Sequence, residues 1–136
     1  MEYERTTHEI IGDAYKVFKT VGFGFLESVY KKAMVIELKK KGLKVEEEKP
    51  LKVYYEDRVV GDFFIGLFVQ DEIVVELKAN QSIAKEHEVQ LVNYLNGVHK
   101  EVGLLINFGQ SGVQVKRKYR NPAQEDEHNK PLPWDT

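Results

Sequence analysis

In Ile73-Val74-Val75-Glu76-Leu77-Lys78 an acid and a lysine stand two residues apart at the end of an apolar run. Strand residues alternate faces, so Glu76 and Lys78 point the same way. A carboxylate and an ammonium sharing one face beside an apolar sheet can bind a divalent cation and steady a negatively charged reacting group. The alternative is an edge strand on which the two make a weak exposed ion pair.

Two further segments carry polar groups at spacings that suit a site. In Gly24-Phe25-Leu26-Glu27-Ser28-Val29-Tyr30, a spacing of three makes Glu27 and Tyr30 neighbours on one helix surface, and glycine at the helix start admits another backbone. Glu27 can equally be a first-turn acid favoured by the helix dipole and paired with Lys31. Farther along, His87, Gln90 and Tyr94 share a helical stripe. A buried polar stripe is costly unless satisfied, so it faces water, a ligand or a polar site. His87, between Glu86 and Glu88, reads as a surface residue, whereas Gln90 suits a site better than a core.

These side chains need positioning elements. Thr6-Thr7-His8-Glu9 reads as a capping box opening a helix with Ile10, Ile11, Ala14, Val17, Phe18 and Val21 at helical spacing, closed by Gly22. A second helix runs to Gly42, with Leu26, Val29, Tyr30, Ala33 and Leu38 available to a core. From Lys44 the pattern alternates. Leu51, Val53 and Tyr55 share a face, Glu56-Asp57 forms a turn, and a strand begins at Val59, able to continue through Gly61 into the run 63–69. Gln70-Asp71-Glu72 should join that run to 73–78 as a hairpin. After Asn80 and Ser82, both capping candidates, 83–96 is helical and Gly97 should stop it. The apolar run 103–108 reads as a buried central strand, parallel to 73–78 through the intervening helix, and 113–115 adds a last strand.

With 136 residues, 42% hydrophobic and 31% charged, the chain suits one domain over residues 1–120. Residues 121–136, with Pro122, Pro131, Pro133 and Trp134 among polar groups, read as a mobile tail. There is no cysteine, so a metal would take oxygen or imidazole ligands. No run approaches the length of a membrane span, and the expected compartment is the cytoplasm. A net charge of −2 argues against a general, charge-driven nucleic-acid binder. Local basic runs, Lys39-Lys40-Lys41 and Lys116-Arg117-Lys118 with Arg120, remain candidates for phosphate contacts, while Glu46-Glu47-Glu48 reads as solvated surface.

Together, Gly24-x-x-Glu27-x-x-Tyr30, the Glu76-Leu77-Lys78 strand, the helix with Gln90 and Asn93-Tyr94-Leu95, and Gly103-Leu104-Leu105-Ile106-Asn107-Phe108-Gly109 resemble the GxxExxY proteins, a branch of the PD-(D/E)XK nuclease superfamily. The resemblance implies an α/β (α+β) restriction-endonuclease-like core: a mixed sheet of about five strands flanked by helices, two of them N-terminal. It also implies Mg²⁺ or Mn²⁺, DNA as partner, and metal-assisted phosphodiester hydrolysis. Carried over, Glu76 is the second acid of the motif, Lys78 its lysine, Glu27 the extra helix acid and Gln90 a polar residue at the site. The metal donors would be Glu76, Glu27 and the Leu77 carbonyl, with Tyr30, Tyr94 and Asp62 as secondary candidates. A homodimer suits a small nuclease acting on two strands.

The chain departs from the family at one central position. The first acid should lie ten residues before Glu76, where Gly66 stands. A three-residue loop at 70–72 would set Gly66 directly across from Glu76. Asp62, four residues earlier, would be about 13 Å away along a regular strand, and only a bulge or break near Gly61 or Gly66 could bring it in. Two functions follow from this pattern: a nuclease with impaired cleavage, or an inactive nucleic-acid- or protein-binding module of the same fold.

Overall fold

The computed structural model describes residues 2–120, so the tail expected over 121–136, Trp134 included, lies outside the described residues. The order of elements is α1 (Glu2–Val21), α2 (Glu27–Lys40), β1 (Val45–Tyr55), β2 (Arg58–Val69), β3 (Ile73–Lys78), α3 (Lys85–Val98), β4 (Val102–Gly109) and β5 (Gly112–Tyr119). The strands form one mixed sheet in sequential order. β3 and β4 are parallel, joined across α3, and every other neighbouring pair is antiparallel. This is the expected α+β core with two N-terminal helices. Among the described residues no helix is long and apolar enough to cross a membrane.

Strand alternation divides the core between the two faces of the sheet. Leu67, Val69, Ile73, Val75 and Leu77 pack with α1 and α2. Ile65, Phe68, Val74 and Leu105 pack with Leu91, Tyr94 and Leu95 of α3. β4 is buried along its whole length between two helical layers, its one polar side chain, Asn107, included.

Several boundaries differ from the sequence reading, each for a packing reason. Thr6 and Thr7 do not cap α1. The helix starts earlier and buries Tyr3, and the Thr7 hydroxyl donates to the Glu4 carbonyl within it. Leu26 and Val29 are exposed, and α2 instead turns Tyr30, Met34, Val35 and Leu38 inward. Asn80 and Ser82 do not cap α3. Ala84 is the N-cap residue, and its N–H donates to the imidazole Nδ1 of His87, so His87 secures the helix start rather than standing as free surface. Gly97 does not end α3, which continues to Val98 before His99 adopts a left-handed conformation. A Cβ at residue 97 would come within 2.9 Å of the Leu51 side chain. Glycine there lets β1 and α3 close on each other.

Candidate active site

The β2–β3 hairpin positions Glu76. Gln70 and Asp71 take positive φ in the turn, and the pairs Leu67–Val75, Phe68–Val74 and Val69–Ile73 set the register that brings Gly66 opposite Glu76. β2 pairs with β3 only through these residues, so the two strands part just beyond Gly66. Glu76 closes the fork. Its Oε2 accepts the Gly66 N–H at 2.7 Å, and a Cβ at residue 66 would lie 3.2 Å from the same oxygen.

The pleat of β1 and β2 reverses at this level. Phe63 and Ile65 face α3, yet so does Phe68, three residues on. Across the pair, Glu46 and Lys49, also three apart, approach each other on the α3 face, where Lys49 lies over the Phe68 ring. Glu48, between them, has φ +51 and stands opposite Gly66, between the pairs Glu47–Leu67 and Lys49–Ile65. A left-handed residue facing a glycine is a local break in the pleat, separate from the one-residue register shift between Val53 and Tyr54. It places Asp62 on the face away from α3, where it pairs with Lys52 at 3.7 Å. The break in the strand pair does not deliver Asp62 to Glu76 but turns it away.

Burial dominates the electrostatics of Glu76, which is 8% exposed. Loss of solvation pushes its carboxyl up to about 7. The Gly66 N–H and the Lys78 ammonium oppose that shift, while the charges of Glu27 and Glu48 add to it. The charges of two further acids thus reach Glu76 at the fork. Glu27 lies exposed at the first position of α2. It does not pair with Lys31, which instead bonds to Glu48 across the gap between α2 and β1. Glu48 is the site residue that sequence reasoning missed. Its acidic run resembles solvated surface, and only the register of β1 against β2 reveals its neighbour.

Tyr30 is fully buried, with its ring stacked on Phe108 at 4.4 Å and an interplanar angle of 4°. Its hydroxyl donates to the Gly22 carbonyl at 2.7 Å and accepts the Phe25 N–H at 3.2 Å. The Gly-x-x-Glu-x-x-Tyr spacing therefore makes a clamp. The tyrosine fixes the α1–α2 loop, where Gly22 and Gly24 hold positive φ, and Glu27 is presented at its end. Tyr94, on α3, is buried close enough to Glu76 for that charge to help burial raise its hydroxyl pKa. Gln90, one turn earlier, is half-buried and lines a cleft beside Tyr94.

Beyond Lys78 the backbone is locked by buried Asn107, which sits opposite Lys78 in the β3–β4 register. Its Oδ1 accepts the Asn80 N–H, and its Nδ2 donates to the Asn80 carbonyl and to Gln114 Oε1. Three bonds to one amide fix where β3 ends and hence where Lys78 lies.

The basic run on β5 splits. Lys116 and Lys118 turn toward α3 and reach the buried Glu88 at 2.8 and 3.8 Å, whereas Arg117 turns to the other face and donates to Thr7 at 3.2 Å. Arg120 follows the strand, its N–H donating to the Glu101 carbonyl. The four cations do not line one exposed track.

The divalent cation implied by the resemblance meets an incomplete set of donors. Among the described residues no three His, Cys, Asp or Glu side chains gather into a metal-binding group. One oxygen of Glu76 is taken by the Gly66 amide, and Glu48 is held by Lys31. The chemistry left to the chain itself is a buried carboxyl that titrates near neutrality, able to take or release a proton, with an ammonium on its own face to attract an anion.

A model of the PD-(D/E)XK nuclease superfamily matches residues 4–119. No curated protein and no solved structure matches the chain. Members of this superfamily generally use divalent metals and act on nucleic acids. The matched span runs from the third residue of α1 to the last of β5 and includes the fork, the Tyr30 clamp and the Asn107 lock. The chain belongs to the PD-(D/E)XK nuclease superfamily.

Proposed function

We propose that this protein is a DNA-directed member of the GxxExxY branch of that superfamily, with its phosphodiester hydrolysis attenuated by glycine at position 66. The observation that carries the reading is the hydrogen bond from the Gly66 amide to Glu76 Oε2. A backbone donor stands where a second carboxylate would face Glu76 and share a cation with it. Glu76 and Lys78 remain as the groups that meet the phosphate, supported by Glu27 and Gln90.

Gly66→Asp tests this directly. The new Cβ needs only a few tenths of an ångström of movement from the flexible end of Glu76. The variant should bind Mn²⁺ in a calorimeter at least tenfold more tightly than the parent and cut DNA roughly a hundredfold faster, since neutralising charge at the phosphate is a large catalytic term. Equal cleavage by parent and variant would sink the reading.

A second reading is favoured by the unfavourable charge that Glu27 and Glu48 bring to Glu76, which a bound cation would offset. In it, the parent already holds one Mg²⁺ or Mn²⁺ through Glu76, Glu27 and the Leu77 carbonyl, with substrate phosphate completing the shell. Heat of Mn²⁺ binding to the parent that disappears in Glu27→Gln supports it. Absence of any such heat, together with retained DNA binding, leaves a binding module that has lost the chemistry.

A further inference from the structure

A cleft of about 810 Å³ opens between α3 and the outer half of the β1–β2 hairpin, a size typical of small-ligand pockets. Leu51, Val53 and Phe63 form its hairpin side and Val89 and Tyr94 its helix side. The Phe63 and Tyr94 rings stand 6.0 Å apart at 53°, so the wall is aromatic. The rim is rich in amides, from Gln90, Asn93 and Asn96, and its two charges, Lys85 and Glu86, are opposite in sign.

That chemistry suits one kind of ligand. The cleft has no excess positive charge with which to hold a phosphate. It offers rings for stacking and side-chain amides that both donate and accept, the groups that read the edge of a base. It also approaches the fork, because Tyr94 lines the cleft and clusters with Ile65, next to Gly66, and with Leu105, the β4 partner of Glu76. A ligand anchored by a phosphate at Glu76 and Lys78 would have its neighbouring flat group beside Tyr94. In a duplex that group is stacked and paired, and only an unpaired strand leaves it free to enter.

We infer that this cleft binds an unpaired base of the same single DNA strand whose phosphate lies at Glu76 and Lys78. The inference rests on the nuclease-fold reading and names its substrate as single-stranded or locally unpaired DNA. The exposed apolar side chains Val53, Phe63 and Val89 are then the stacking surface of the site.

Fluorescence anisotropy in EDTA, where cleavage is suppressed, tests it with two labelled oligonucleotides of equal length and charge. One is a thymidine strand, and the other carries abasic residues at its centre. The thymidine strand should bind at least tenfold more tightly, a ratio in keeping with the loss of one stacked base. Phe63→Ala and Asn93→Ala should each bring the ratio below threefold without weakening abasic binding. Both positions are exposed, and a melting curve confirms that the variants fold. Equal affinity for the two strands overturns the base cleft while leaving DNA binding intact. Absence of binding to single- or double-stranded DNA overturns the cleft and the nucleic-acid reading together. A base-independent dimer that Phe63→Ala dissolves in sedimentation would assign the cleft to a second copy, and also overturns the inference.

Discussion

Glu76 is costly to the folded state as a charged group, and the cost has a definite pH signature. Its folded pKa, about 7, lies above the ordinary carboxylate value of 4.5, so the native state binds the proton more tightly than the unfolded chain does. Stability from this group is therefore full below about pH 4.5 and is lost as pH rises through about 7, with a total near 3 kcal/mol. Glu76→Gln keeps an oxygen for the Gly66 N–H but removes the charge. In EDTA it should be more stable than the parent at pH 8, by about 2–3 kcal/mol in urea denaturation, and nearly equal to it at pH 5. A difference that does not change with pH would mean that Glu76 is solvated rather than buried. Residue 88 makes the contrasting case. Glu88 is 4% exposed and is met by Lys116 and Lys118, so its charge is compensated where that of Glu76 is not.

Among the elements, the α1–α2 loop and the β1–β2 hairpin decide the site. Tyr30→Phe preserves the stack on Phe108 but strips the loop of two hydrogen bonds. It should cost about 1–3 kcal/mol, because the Gly22 carbonyl and Phe25 N–H each lose a partner. The same variant should weaken any Mn²⁺ binding by Gly66→Asp, since Glu27 is presented by that loop. Metal binding unchanged in Tyr30→Phe would detach Glu27 from the site. In the hairpin, the tight turn at Glu56 and Asp57 starts one register, Tyr55–Arg58 and Tyr54–Val59. A shift between Val53 and Tyr54 moves every later pair by one residue, and that shift is what sets Glu48 against Gly66. Gly97 serves the same assembly from α3. Gly97→Ala should push Leu51 away and cost about 1–3 kcal/mol, and Leu51→Val in the same chain should recover part of it in a double-mutant cycle.

On the scale of the whole molecule, the sheet is covered by helices on both faces through its inner strands, while the outer half of the β1–β2 hairpin carries Val53, Tyr54, Tyr55, Val59, Val60, Phe63 and Phe64 exposed. The splitting of the β5 cations leaves no single basic face on that strand. Lys116→Ala should accordingly lower stability, by roughly 3 kcal/mol, because it leaves Glu88 undercompensated. It should leave the salt dependence of DNA binding unchanged. A flatter salt slope at unchanged stability would return Lys116 to the phosphate track. The order and type of the elements, the Gln70 to Glu72 hairpin, the parallel crossover and the glycine facing Glu76 are all legible in the chain. Each of these follows from periodicity or turn chemistry carried by neighbouring residues. Tertiary structure decided what local pattern cannot encode. The hairpin register shift brought in Glu48, the break at Glu48 left Asp62 on the far face, Glu88 drew two lysines inward, and Tyr30 became a clamp. Glu48 and Glu88 take their roles from partners 17 and 28 positions away, Tyr30 from a loop 5 to 8 residues back that it can reach only when folded, and none of these leaves a periodic trace in the chain.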